Sequence, residues 1–124
     1  MESFDVVVVG ARCAGSPLAA MLARRGLRVC VLDRARFPSE TPSTHMIQPC
    51  GVGILDELGM LPALMGAGAS PLQGATMASD DVRMYATIDG SADHPVLCMR
   101  RLTLDVLLVE GASAAGPRCV PACE

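Results

Sequence analysis

The 124 residues suffice for one small domain but are short for a nucleotide-binding domain joined to a substrate domain. With 51% hydrophobic residues the chain implies a packed core rather than a disordered tail. A net charge of −3 and 2% aromatic residues argue against a general attraction to nucleic acid or anionic membrane and against a base-stacking surface.

Phe4 to Val9 is a continuous β-branched run, which predicts a strand buried on both faces of a parallel sheet. Gly10-Ala-Arg-Cys-Ala-Gly15 follows as a tight turn, and Ser16-Pro17 opens a helix where proline costs no intrahelical bond. Leu18, Met21 and Leu22 give the helix an apolar stripe; Arg24 and Arg25 sit in its last turn against the negative dipole end, and Gly26 terminates it. Leu27 to Leu32 reads as a second strand with Asp33 at its carboxyl end. A helix N-terminus aimed at a strand end offers N–H groups and partial positive charge to a pyrophosphate. Gly10 permits the sharp turn, Gly15 lets the helix pack close to the strand, and Asp33 stands roughly 20 residues on, where such folds bind an adenosine ribose. The other reading is an ordinary strand–helix–strand corner whose glycines only make a turn.

The middle glycine of GxGxxG is replaced by Arg12. A Cβ there crowds the approach of phosphates to the backbone. Two readings stand: its guanidinium pairs with a phosphate oxygen, or it swings into solvent and weakens binding. Cys13, beside Arg12 at the helix N-terminus, also has two readings: a reactive thiol with a lowered pKa, or, preferred, a small residue filling the turn.

The stretch GARCAGSPLAAMLARRGLRVCVLDRARFPSETPSTHMIQPCGVGILDELGML resembles the N-terminus of FAD-dependent oxidoreductases of the aromatic-hydroxylase and geranylgeranyl-reductase type. The resemblance covers residues 4–65 well and 96–116 moderately, and some of that group carry arginine at the middle glycine position. It implies a Rossmann-like α/β domain with FAD in the turn at Gly10, Arg12, Cys13, Ala14 and Gly15. It also implies a small-molecule substrate, NAD(P)H as an external electron donor, and a full-length protein about three times longer than this chain.

Arg34 to Gln48, with Pro38 and Pro42, is expected to be a loop too irregular for helix or strand. Arg34 and Arg36 flank the expected ribose site, as adenine or phosphate contacts or as solvated loop charges. By resemblance, Ser43, Thr44 and His45 fall beside the ribityl chain and isoalloxazine edge of FAD; as a lone loop histidine, His45 more often reads as structural. Gly51 to Met65 shows a three-residue apolar recurrence interrupted by Gly59 and Pro62, which predicts two short helices.

From Pro71 to Leu97 the turn residues Gly74, Asp80-Asp81, Asp89-Gly90 and His94-Pro95 punctuate short runs, predicting two or three antiparallel strands. The acids Asp80, Asp81, Asp89 and Asp93 read as exposed turn residues rather than a metal or acid–base site. Met99 to Ala115 predicts a helix capped by Thr103 and ended by Gly116-Pro117. Within RRLTLD the resemblance places Arg101 against FAD. The ending Pro117-Arg-Cys-Val-Pro121 is expected not to form a central strand, so the chain reads as a truncated or frame-shifted N-terminal piece.

The domain organisation expected is a partial FAD-binding domain at 1–70 and 99–124, with 71–98 supplying strands to a substrate-domain sheet. Six cysteines show neither a CxxC pair nor zinc spacing, so reduced thiols and no metal are expected. No apolar run approaches the roughly 20 residues that span a bilayer, and the acidic start and Arg12 argue against a signal peptide, so a cytoplasmic location is expected. The function expected is the FAD-binding portion of a flavin-dependent monooxygenase or reductase, inactive by itself and with no residue assigned as catalytic. The alternatives are a non-catalytic nucleotide-binding fragment and an NAD-binding protein.

Overall fold

The computed structural model describes residues 2–88 and 93–116 and the backbone of 118–121. In chain order its elements are β1 (Val6–Val9), α1 (Gly15–Arg24), β2 (Val29–Asp33), β3 (Met46–Ile47), α2 (Pro49–Glu57), α3 (Leu61–Gly66), β4 (Ser70–Pro71), β5 (Gly74–Ala78), β6 (Arg83–Thr87), β7 (Leu97–Cys98), α4 (Arg101–Ala114) and β8 (Arg118–Pro121). The readings that fall on Asp89, Gly90 and Pro117 lie outside the described residues.

A parallel sheet in the order β1-β2-β8 carries the site. Val8 pairs with Val31, and both are buried against Ala19 of α1, which is fully covered. A methyl-sized side chain on that helix face lets it lie close to the valines. The α1 helix ends at Gly26, whose φ of 84° is a left-handed conformation that glycine adopts without strain. Arg24 does not serve its own helix end: it donates to the carbonyls of Glu57 and Leu58 at the end of α2, at 2.8 and 2.5 Å. A cation is well placed there, because the last carbonyls of a helix carry its partial negative charge.

The larger core lies on the outer side of α1, where Val52, Leu55, Leu64, Leu97, Leu104 and Leu108 from α2, α3, β7 and α4 meet Ala20. The break between α2 and α3 falls at Gly59, with φ 71°, as the interrupted apolar recurrence predicts. Two short antiparallel pairings, β3 with β7 and β7 with β4, tie the ends of the 71–98 segment to the loop that precedes α2. The β5–β6 hairpin turns at Asp80-Asp81 and leaves Met77, Met84 and Tyr85 more than half exposed.

Three expectations need correction and a fourth is refined. The first strand is covered on one face only: Val8 is buried, whereas Val7 and Val9 are 56% and 83% exposed, because no described element packs on that side. The loop after Asp33 contains strand β3, since Met46 and Ile47 find partners in Cys98 and Leu97 far along the chain, which local irregularity does not reveal. Thr103 is not the cap of α4. Arg100 takes that place in an extended conformation, and its carbonyl accepts from the N–H groups of Thr103 and Leu104. Finally, Arg118–Pro121 is not a central strand, as expected, but its prolines do not keep it out of the sheet: it pairs in parallel with β2 at the edge, from Cys30↔Arg118 to Asp33↔Pro121. Proline is tolerated because β8 lies at the sheet edge and Pro121 is its last residue.

Candidate functional site

The corner between β1 and α1 is drawn tight by four interactions. The Gly10 N–H donates to the Leu32 carbonyl at 2.7 Å, and Gly10 has φ 102°. The buried Ser16 hydroxyl donates back to the Ala11 carbonyl at 2.7 Å. Gly15 packs so closely that a Cβ on it would lie 1.6 Å from the Gly10 carbonyl oxygen. The Ala11 N–H donates to Asp33 Oδ2 at 2.7 Å, so the acid at the end of β2 fixes the turn. No helical residue lies ahead of Cys13, Ala14 and Gly15 to accept from their N–H groups, which leaves the positive end of α1 at the turn.

Asp33 also accepts from the Ala35 N–H at 2.7 Å through Oδ1. Desolvation pushes its carboxyl up, but the two backbone donors and the charges of Arg12 and Arg34 more than offset this and hold it below the ordinary carboxylate value. Each oxygen keeps a second lone pair for an outside donor such as a ribose hydroxyl. Because the folded state lowers this pKa, the stabilisation is complete above the unfolded value of about 4 and fades as pH falls through the folded value. Asp33→Asn is therefore expected to cost roughly 1 kcal/mol at neutral pH. Urea unfolding of both proteins at pH 7 and at pH 3 checks this: the gap should narrow at the lower pH.

Arg12 does not swing out into solvent. Its guanidinium runs along the Phe37 ring, 5.1 Å from the centroid, and donates to the Ser39 carbonyl and hydroxyl at 3.3 and 3.0 Å. It also forms an ion pair with Asp105 of α4, a residue with no exposed surface. Arg101 grips the same carboxylate from one helical turn away, Nε to Oδ1 at 3.0 Å and a terminal nitrogen to Oδ2 at 3.2 Å. Cys13 completes the cluster, its sulfur 3.6 Å from Asp105 Oδ1. The lowered pKa considered for Cys13 is corrected. Desolvation pushes the thiol up although the residue keeps an exposed surface, and the Arg101 charge opposes this without cancelling it.

Beside this cluster lies a cavity of about 480 Å³, within the range of about 300–1,000 Å³ usual for ligand pockets. Cys13, Ala14 and Arg101 line its polar end with Ser43, His45 and Gln48; Leu18, Ile54, Leu104 and Leu108 are among its apolar walls. His45 has φ 60°, a left-handed conformation that histidine adopts more readily than most side chains. Its carbonyl accepts from the Met99 N–H at 2.8 Å, and its buried Nδ1 has no hydrogen-bond partner among the described residues. A second cavity of about 270 Å³ lies between the 40–42 segment, His45, Arg100 and Arg101.

The fold thus gathers Gly10, Arg12, Cys13, Ala14, Gly15, Asp33, His45 and Arg101 at one corner. Arg34 is exposed at the end of β2, and Thr44 is exposed and lines neither cavity. Sequence reasoning missed Asp105, Ser39 and Phe37. Asp105 did carry a signal: a lone carboxylate between Leu104 and Leu108 on an apolar face, four residues after Arg101, the spacing of a helical ion pair. Asp80, Asp81 and Asp93 are exposed turn residues, and no group of three or more metal-binding side chains occurs among the described residues. None of the described helices is long and apolar enough to cross a membrane.

The donor set fits FAD. Open helix N–H groups and two guanidiniums suit a diphosphate, a carboxylate at the second strand suits a ribose, and His45, whose buried Nδ1 has no partner among the described residues, lines a largely apolar cavity of ligand size. Comparison with known proteins agrees. The family model described as FAD binding domain matches residues 3–120. The menaquinone reductase of Mycobacterium tuberculosis is 48% identical over 59 residues, which are 48% of this chain and 14% of that protein. Squalene epoxidase 5 of Arabidopsis thaliana is 38% identical over 83 residues, 67% of this chain and 16% of that protein. Among solved structures, the myxobacterial chondrochloren halogenase CndH, an FAD-dependent halogenase, superimposes with a TM-score of 0.83 at 27% identity, covering 98% of this chain and 29% of that one. The chain spans less than a third of the length of each of these proteins. It belongs to the FAD binding domain family, and its cofactor is FAD.

Proposed function

We propose that the chain is the FAD-binding portion of a flavin-dependent oxidoreductase, a monooxygenase or reductase, that acts on a small molecule with NAD(P)H as external electron donor. FAD, when bound, supplies the redox chemistry; the protein binds and orients it. Gly10 and Gly15 shape the turn, and the N–H groups of Cys13 and Ala14 with the guanidiniums of Arg12 and Arg101 receive the diphosphate. Asp33 accepts from the adenosine ribose, with Arg34 at the adenine edge. Thr44 and His45 run beside the ribityl chain and the isoalloxazine ring. No residue here is assigned a proton-transfer role.

The observation that carries this reading is the corner itself, where Asp33 holds the Ala11 N–H at 2.7 Å and Asp105 joins Arg12, in the turn before α1, to Arg101. We further propose that residues 71–98 contribute to a substrate-domain sheet, while 1–70 and 99–124 belong to the FAD-binding domain. The outward apolar side chains of the β5–β6 hairpin favour this. The pairing of Leu97 with Ile47 makes β7 the joint between the two units. Titration of the purified protein with FAD, NAD and NADP, followed by flavin fluorescence and by calorimetry, tests the assignment. FAD should bind in preference to NADP, whose 2′-phosphate Asp33 repels. A folded protein that binds NADP tightly and ignores FAD contradicts it.

A further inference from the structure

Asp105 is a buried charge whose cost stability alone does not justify. An ion cluster taken out of water is often matched or bettered by apolar residues of the same volume. Yet Asp105 sits with no exposed surface between Leu104 and Leu108 and accepts from guanidiniums on two different elements, one in the turn before α1 and one in the first turn of α4. Arg12 uses three of its five N–H donors on Asp105 and Ser39, and Arg101 uses two of its five on Asp105. Both keep donors for an anion. Two guanidiniums held this close repel each other, and the shared carboxylate reduces their joint charge to +1. Added to the partial charge at the α1 N-terminus, this approaches the two negative charges of a diphosphate diester.

We propose that Asp105 is a positioning residue that holds Arg12 and Arg101 side by side as a two-guanidinium clamp for the diphosphate of FAD. The clamp also accounts for the departure from glycine at the middle of the turn. Asp105, Ser39 and Phe37 draw the Arg12 side chain off the path to the backbone and return its charge to the rim. The inference rests on the FAD reading above.

The test compares FAD with riboflavin, which lacks the diphosphate, by quenching of flavin fluorescence on Asp105→Asn. The amide keeps the size of the side chain and removes its charge. The expected result is a loss of FAD affinity on the order of tenfold, the worth of displaced charge-assisted hydrogen bonds, with riboflavin affinity unchanged. Asp105→Glu, which restores the charge, should recover part of the lost preference. Asp105→Asn leaves two arginines without a counter-charge and so risks misfolding. The paired variant Arg12→Gln with Asp105→Asn removes both charges together and should show the same narrowing of the FAD-to-riboflavin ratio. An unchanged ratio in the folded variants, or an equal fall for both ligands, overturns the clamp and leaves Asp105 a purely structural ion pair. Failure of the unaltered protein to bind FAD at all contradicts the FAD reading and the clamp with it. FAD binding by that protein with an unchanged ratio in the variants contradicts the clamp alone.

Discussion

Gly15→Val is expected to lose FAD binding and a large share of the fold's stability. The first added carbon would lie 1.6 Å from the Gly10 oxygen and 2.8 Å from the Gly10 carbon, both backbone atoms. Neither can retreat cheaply, because the Gly10 N–H is bonded to Leu32 and its φ of 102° is already a conformation reserved for glycine. Relief requires α1 to move off the sheet, which uncovers Val8 and Val31 and shifts the N–H groups proposed to receive the diphosphate. The cost should reach at least about 3 kcal/mol, the upper end for overpacked sites. Urea unfolding and FAD titration both read the effect. Gly66→Ala serves as control: a Cβ there meets nothing within 4 Å, and it should be neutral or stabilise by about 0.5–1 kcal/mol.

Leu108→Ala is expected to cost about 2–5 kcal/mol, the range for a buried leucine whose site cannot fully collapse. Leu108 is 1% exposed and belongs to the core shared by α1, α2 and α4. It also lines the cavity beside the turn, so truncation enlarges a space that already exists. Thermal and urea unfolding give the magnitude; a loss below about 1 kcal/mol would mean that this core is looser than its burial indicates.

What the sequence disclosed was local. The strand, turn, helix, strand and acid from Val6 to Asp33 follow one another within 28 residues, so β-branching, glycine placement and spacing were enough to read them. The helices at Pro49–Glu57 and Leu61–Gly66 were legible for the same reason, with Gly59 as the break. What stayed hidden depends on distant partners. Met46 and Ile47 become a strand only because Leu97 and Cys98 arrive beside them, and Arg118–Pro121 only because β2 has an open side. The one-sided cover of β1 is likewise set by which elements pack against it.

The site shows the same division. Gly10, Gly15 and Asp33 were found by motif, and their geometric parts hold: the left-handed turn, the close packing and the fixed acid. Arg12 was noticed but its course was not, because its partners Ser39 and Asp105 lie 27 and 93 residues away. Such a pairing leaves no periodic trace.

FAD is proposed to place its diphosphate at the N-terminus of α1. Titrating isotope-labelled protein with FAD and following each backbone amide by two-dimensional nuclear magnetic resonance tests it most directly. The expected result is saturable shifts that are largest for the amides of Arg12 through Ser16, with the side-chain Nε of Arg101 moving at the same midpoint. Saturable FAD binding that leaves those amides unmoved while shifts gather elsewhere, or no binding by the folded protein, would contradict it.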